Sequence, residues 1–245
     1  MLPEGHHVRA VFLDSKDSIS SADLTNKLLI DCSTIDTATN LAILDHLKKT
    51  QPTASFYDAP VSGGVYGAEQ ATLGIYLGCT DADPNFARLE ALLLLLGKTV
   101  IPCGGPSLGL VAKLANNYLS GTIALATSEA MNMGMRAGMD PRVLARVISV
   151  GSGKNHVADN FNPVPGISPH APSNRGYAGG FRVELMKKDI SLATKMAAEV
   201  GAEMVLGDAS LGAYERASKD ERCVGLDSRV VYRLIGGRED WKNDA

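Results

Sequence analysis

Residues 104–121 read "GGPSLGLVAKLANNYLSG". The Gly-Gly-Pro break closes whatever precedes it, and Pro106 suits the start of a helix. From Leu108 to Ala137 the residues are apolar or small on nearly every face, with Gly138 beyond them as a stop. That pattern predicts one long helix, buried all round, at the centre of a domain. A single charge, Lys113, interrupts the opening turns. Asn117 lies four residues further along the same face, with Asn116 beside it. An amine in apolar surroundings is desolvated, which lowers its pKa and fits it to give or take a proton near neutrality. Taken alone, such a lysine also reads as one that snorkels to the surface or pairs with a carboxylate.

Upstream of the break, strand and helix signals alternate. "KLLIDCST" (27–34) is an apolar run ending in Ser and Thr, and "DTATNLAILDHLKKT" (36–50) is an amphipathic helix pattern with lysines in its last turn. "ASFYDAPV" and "ATLGIYLGC" read as strands. "DPNFARLEALLLLLG" predicts a helix with Asp83 as cap, Pro84 at its first position and Gly97 past its end. "KTVIPCGG" returns as a strand. An α/β sheet layered by helices is the expected result.

Downstream, the signals are helical. "DPRVLARVISVG" opens on Asp-Pro and stops on Gly, and further helices fit 182–200, 208–219 and 227–235. Between them lies "NHVADNFNPVPGISPHAPSNRGYAGGF", rich in Pro, Gly and Asn and too long for a plain connector, which argues for a functional loop.

The chain has 245 residues and is 45% hydrophobic, enough for one large domain or two small ones with a packed core. Its 24 Lys and Arg against 27 Asp and Glu give a net charge of −3, which argues against nucleic acid as a partner. The leucine run Leu92 to Leu96 is far short of the roughly 18 residues of a membrane span. Cys32, Cys79, Cys103 and Cys223 are scattered, as expected of free thiols. No metal site is expected, because His6 and His7 are adjacent rather than at ligand spacing. "GSGKNH" (151–156) imitates a phosphate loop but lacks its third glycine and follows a helical pattern. The start, "MLPEGHHVRA", has neither a secretory nor an organellar leader pattern.

Two further stretches bear on chemistry. In "DAPVSGG" (58–64), Ser62, Gly63 and Gly64 follow a strand end. The glycines allow a ligand close to the backbone, and successive amides with a hydroxyl suit a carboxylate, although the same residues also make an ordinary tight turn. In "LMKKDISLATKMAAEVG" (185–201), Lys187, Lys188 and Asp189 open the polar side of a helix, and by themselves they read as solvated charges.

Together "DAPVSGG" and "GPSLGLVAKLANN" are recognisable. The chain resembles the β-hydroxyacid dehydrogenases, and within them the branch acting on 3-hydroxyisobutyrate. "MLP", "LLIDCSTID", "DAPVSGGV", "GLVAKLANN", "SEAMNMG", "NPVPG" and "GGF…LMKKDISLA" occur in the family's order. The resemblance implies the C-terminal half of a Rossmann-like NAD-binding domain (1–104), then an all-α substrate and dimerisation domain with a long central helix (105–245).

It implies Lys113 as the catalytic lysine. Asn117, Ser62, Gly63 and Gly64 fall at substrate-binding positions, and Leu2, Pro3, Thr34 and Lys188 at positions touching NAD. It further implies oxidation of 3-hydroxyisobutyrate to methylmalonate semialdehyde in valine breakdown, a homo-oligomer, and a mitochondrial address.

Departures accompany it. Ser107 stands at a usual glycine, and His7 at a common asparagine. No Gly-x-Gly-x-x-Gly follows a strand, so the pyrophosphate seat is expected upstream of "MLP" and the isolated chain is expected to turn over weakly or not at all. Three other readings stay open: a non-catalytic helical oligomerisation module, a dehydrogenase of another small 3-hydroxy acid, and a Schiff-base lysine enzyme.

Overall fold

The computed structural model describes residues 1–241 and divides at the long helix into two units, Met1–Asn116 and the chain from Asn117 on. The first unit begins with α1 (Gly5–Arg9), which continues into a wider turn over Ala10–Asp14. Strand β1 (Leu28–Asp31) leads to α2 (Thr37–Thr50), whose Asp36 caps it by accepting the Thr39 N–H at 2.7 Å. Then come β2 (Ser55–Asp58), β3 (Val61–Ser62), α3 (Gly64–Glu69), β4 (Leu73–Leu77), α4 (Phe86–Leu93) and β5 (Gly97–Pro102).

The strands β1 and β2 run parallel, with Asp31 opposite Asp58. A second sheet has the order β3-β4-β5, with β3 antiparallel to β4 and β4 parallel to β5. The two sheets meet where Gly78 N–H donates to Asp58 C=O and Tyr76 N–H to Pro60 C=O, at 2.8 and 3.0 Å. One core cluster joins Val8, Phe12, Ile43, Leu47, Phe56 and Leu110. Another joins Tyr57, Ile75, Leu77, Leu89 and Leu93.

Two expectations change here. The α4 helix starts at Phe86 with Asn85 at its cap position, because the Asp83 carboxylate takes the Asn85 N–H at 2.8 Å and makes a turn before the helix. Gly97 opens β5 instead of closing α4, because α4 already ends at Leu93 and a turn over residues 94–96 leads into the strand.

Helix α5 (Leu108–Arg136) has the predicted extent, but it is not buried all round. Leu110, Lys113, Leu114, Asn117, Gly121, Ala124, Ser128 and Met131 form the buried stripe, whereas Leu119 and Met133 are 56% and 70% exposed. Small and apolar residues spread evenly around the helix hide which face is inside.

The second unit adds α6 (Pro141–Val150), α7 (His156–Asn160), α8 (Val183–Glu199), α9 (Gly207–Ala217) and α10 (Val231–Leu234). The Pro/Gly/Asn-rich segment carries α7 and a short 3-10 turn, Pro172–Arg175. It is pinned by two of its own side chains and by Trp241. Tyr177 Oη donates to Pro163 C=O at 2.7 Å, Ser173 Oγ to Asn162 C=O at 2.8 Å, and the Trp241 indole to Pro165 C=O at 2.9 Å. Among the described residues no helix is long and apolar enough to cross a membrane. The four cysteines are free thiols.

Candidate active site

In the first unit the residues expected at the cofactor gather at the C-terminal end of β1, the end where open parallel sheets present ligand-binding loops. Asp31 is buried and accepts both the Ser33 N–H at 2.9 Å and the Ser33 hydroxyl at 2.5 Å. Its proton thus committed, Ser33 Oγ accepts the Leu2 N–H at 2.8 Å. This chain of bonds ties Leu2, which precedes Pro3, to Ser33, which precedes Thr34. Leu2 and Thr34 are half-buried and Pro3 is exposed. Asp31 and Ser33 stand outside the expected site residues, although "DCST" at a strand end carries the signal for such a turn.

The Ser62-Gly63-Gly64 turn joins β3 to α3. Ser62 pairs with Gly74 on β4 and is half-buried, while both glycines are exposed. Gly63 has φ +136° and Gly64 φ +62°, values that favour glycine, and a Cβ on Gly63 would press on Leu73 Cδ2 at 3.0 Å. Gly63 is the residue before α3, so the helix presents its first amides at this turn. Such amides suit a carboxylate.

Lys113 lies in the second turn of α5 and is 7% exposed. Four residues earlier on that face, Gly109 rides so close to β4 that a Cβ there would collide with Tyr76 C=O. The start of α5 is held by Asp58, the first residue of "DAPVSGG" and not one of the expected site residues. Its side chain is 2% exposed, and it accepts the Ser107 N–H at 2.8 Å and the Leu110 N–H at 2.9 Å. Burial pushes the Asp58 carboxyl above the usual range, and the Leu110 and Ser107 amides pull it back. Ser107 itself has φ +64°, which accounts for the usual glycine at that position. Its hydroxyl accepts from Asn40 Nδ2 at 2.8 Å.

In the second unit Asn117 is buried and donates through Nδ2 to Asp189 Oδ2 at 2.6 Å, and Lys188 Nζ lies 3.1 Å from Asp189 Oδ1. The "KKD" run is therefore no solvated face: Asp189 is 1% exposed, and the Lys188 side chain is 12% exposed beside it. Helix α8 has its inner stripe at Val183, Met186, Asp189, Ile190 and Ala193, so a charged residue sits at an inward position that charge counting assigns to water. Among the described residues no group of three His, Cys, Asp or Glu side chains is placed to hold a metal ion.

Comparison with known proteins covers both units. Residues 1–105 match the NAD binding domain of 6-phosphogluconate dehydrogenase, and residues 108–235 match the domain described as NAD-binding of NADP-dependent 3-hydroxyisobutyrate dehydrogenase. The chain is 38% identical to the 3-hydroxyisobutyrate dehydrogenase of Pseudomonas aeruginosa over 98% of its own length and 79% of that protein. It is 39% identical to the mitochondrial 3-hydroxyisobutyrate dehydrogenase of Drosophila melanogaster over 91% of its length and 68% of that protein. A Mycobacterium tuberculosis 3-hydroxyisobutyrate dehydrogenase solved with L-serine superposes with a TM-score of 0.85 at 30% identity, covering 96% of this chain and 77% of that one. Against the human relative the chain spans about half the length, 52%. The eukaryotic relatives are named mitochondrial, and the Pseudomonas one is not.

Proposed function

Because the chain belongs to the 3-hydroxyisobutyrate dehydrogenase family, a family of nicotinamide dinucleotide-dependent 3-hydroxy acid dehydrogenases, we propose that it oxidises 3-hydroxyisobutyrate to methylmalonate semialdehyde with NAD. The observation that carries this reading is a lysine, Lys113, 7% exposed in the second turn of α5 in a unit that also holds the Ser62-Gly63-Gly64 turn.

The residues present fit the nicotinamide end of the cofactor. Leu2, Pro3 and Thr34 stand together at the carboxyl end of a parallel strand pair, secured by the Asp31–Ser33–Leu2 bonds. We assign Lys188 to the cofactor as well. The glycine fingerprint does not occur in residues 1–245, so no residue here is assigned to the pyrophosphate.

When bound, the nicotinamide supplies the acceptor for the hydride on the carbinol carbon. The protein's own part is orientation and proton transfer. The Ser62 hydroxyl and the amides at Gly63 and Gly64 hold the substrate carboxylate, and Asn117 helps to fix the hydroxyl end. Neutral Lys113 takes the hydroxyl proton as the carbonyl forms; in the reverse direction the ammonium returns it. A match that runs through both units weighs against a purely oligomerising module.

The test is formation of reduced nicotinamide by the purified chain with NAD and a panel of 3-hydroxyisobutyrate, L-serine and other small 3-hydroxy acids. Turnover fastest with 3-hydroxyisobutyrate supports the assignment, and preference for L-serine moves it to a sibling activity. No turnover with any of them, together with no cofactor binding, defeats it. Self-association belongs to the same proposal, supported by the exposed Leu119 and Met133 on α5 and Val143, Val147 and Val150 on α6. Light scattering at several concentrations tests it. A mitochondrial address is supported by the names of the eukaryotic relatives, and fractionation of host cells tests that.

A further inference from the structure

Asp58 is a charged residue in a dry place, and burial of a carboxylate is costly unless hydrogen bonds replace the lost water. Its groups point in two directions. The backbone C=O receives Gly78 N–H and ties β2 to the end of β4, while the side chain turns to the start of α5. Leu110 is the third residue of that helix, so its amide is one of those a helix leaves without an internal acceptor.

The residue just before a helix commonly satisfies such an amide with its own side chain. Ser107 holds that place here, but its left-handed backbone, φ +64°, accompanies a hydroxyl engaged with Asn40. The cap comes instead from β2, 52 positions back along the chain. Two glycines clear the slot for it: a Cβ on Gly78 would collide with Asp58 Oδ1, and one on Gly109 would lie 2.8 Å from Oδ2.

We propose that Asp58 is a positioning residue, whose two-oxygen grip on Ser107 N–H and Leu110 N–H fixes the height and rotation of the first turn of α5 and so the point from which Lys113 presents its amine. Lys113 follows Leu110 by three residues, on an adjoining part of the same face. One bond would leave the turn free to pivot; two set both its advance along the axis and its twist. Misplacement of a reacting group by about 1 Å can cost about 100-fold in rate. This rests on the reading of Lys113 as proton acceptor.

The test compares Asp58→Asn and Asp58→Ala with the unaltered chain. The asparagine keeps the shape between Gly78 and Gly109 but offers an acceptor to only one of the two amides. It therefore keeps the test open even where the alanine variant fails to fold. In Asp58→Asn we expect kcat per cofactor-binding site to fall roughly 10- to 100-fold, with KM for the hydroxy acid changed less than about threefold.

Two readouts need no turnover. Amide exchange at Leu108 to Val111 should quicken about tenfold or more while Ile30 and Tyr57 in β1 and β2 keep their protection. Acylation of Lys113 by an amine-reactive ester, located by mass spectrometry, should quicken alongside.

A purely structural role would lower the fraction of sites that bind cofactor and leave kcat per site alone; that result overturns the proposal. Unchanged exchange at 108–111, or loss of protection spread evenly over residues 1–116, overturns it too. If the unaltered chain neither turns over nor binds cofactor, the functional assignment has failed, and local exchange with Lys113 acylation still decides whether Asp58 sets the lysine's place.

Discussion

Asn117 and Asp189 are joined by a buried 2.6 Å hydrogen bond, and the carboxylate that receives it also holds Lys188 Nζ at 3.1 Å. A carboxylate at 1% exposure with an amide on one oxygen and an ammonium by the other is the centre of a small polar network in the second unit. Removing it leaves the Lys188 charge without its counter-ion at low exposure. Asp189→Ala should therefore destabilise the protein by about 3–5 kcal/mol, measured by urea unfolding, whereas Lys187→Ala next to it should cost less than about 0.5 kcal/mol. Equal effects of the two would contradict the network.

Lys113→Ala should lower kcat by about 10²- to 10⁴-fold while leaving cofactor affinity unchanged, if proton transfer is the lysine's whole contribution. Lys113→Arg should not restore the rate, because a guanidinium stays protonated and cannot act as base. Steady-state kinetics with cofactor titration read both. An active arginine variant would show that charge, not proton exchange, is what the position supplies.

The two glycines of the carboxylate turn should differ in tolerance. A methyl on Gly63 meets φ +136° and Leu73 Cδ2 together, but one on Gly64 meets φ +62° and open space. We expect Gly63→Ala to cost about 1–3 kcal/mol and Gly64→Ala about 1 kcal/mol. Both should raise KM for the hydroxy acid, because each alters the amides offered to the carboxylate. Thermal unfolding and a substrate titration separate the two effects.

Asn40 and Ser107 should be energetically coupled. Asn40→Ala removes a buried bond and should cost about 1–2 kcal/mol. Ser107→Gly relieves the left-handed backbone by about 1 kcal/mol but forfeits the same bond, so its net effect should stay within about 1 kcal/mol. In the Ser107→Gly background the Asn40→Ala cost should shrink, and a double-mutant cycle with no interaction energy would refute the pairing.

Alkaline pH should weaken the fold through Cys79. Burial, with smaller contributions from Asp83 and Asp58, raises its thiol from 9.0 to about 11. The native state then holds the proton over a range where the unfolded chain has lost it, so this contribution to stability is intact below pH 9 and disappears as pH climbs through about 11. Cys79→Ala should flatten the fall in urea midpoint over that range. At pH 8 alkylating reagents should reach Cys103 before Cys79, which is 2% exposed.

Local signals were legible in the sequence. Asp36 before α2 and Asp140 before α6 cap their helices within three residues, and the Gly-Gly-Pro break precedes α5 as read. Ser62 to Gly64 and Lys113, which the sequence motifs divide between residues 1–104 and 105–245, lie in one unit, Met1–Asn116. What the sequence hid are relations at long range. Asp58 and Leu110 are 52 residues apart, Asn40 and Ser107 67, Asn117 and Asp189 72, and no periodicity in a window of one helix reports on such pairs. Asp189 reads as solvated because a run of three charged residues says nothing about which one turns inward.

The Pro/Gly/Asn-rich segment that carries α7 and runs on to α8 limits how such chains diverge. Tyr177 and Ser173 stitch it to its own backbone and Trp241 holds it from outside, with the Arg233 guanidinium 5.0 Å from the Tyr177 ring centroid. It cannot be exchanged piecemeal between relatives like an ordinary surface loop. A functional graft must carry residues 155–181 as one block together with Arg233 and Trp241, and drift within it should proceed by paired changes.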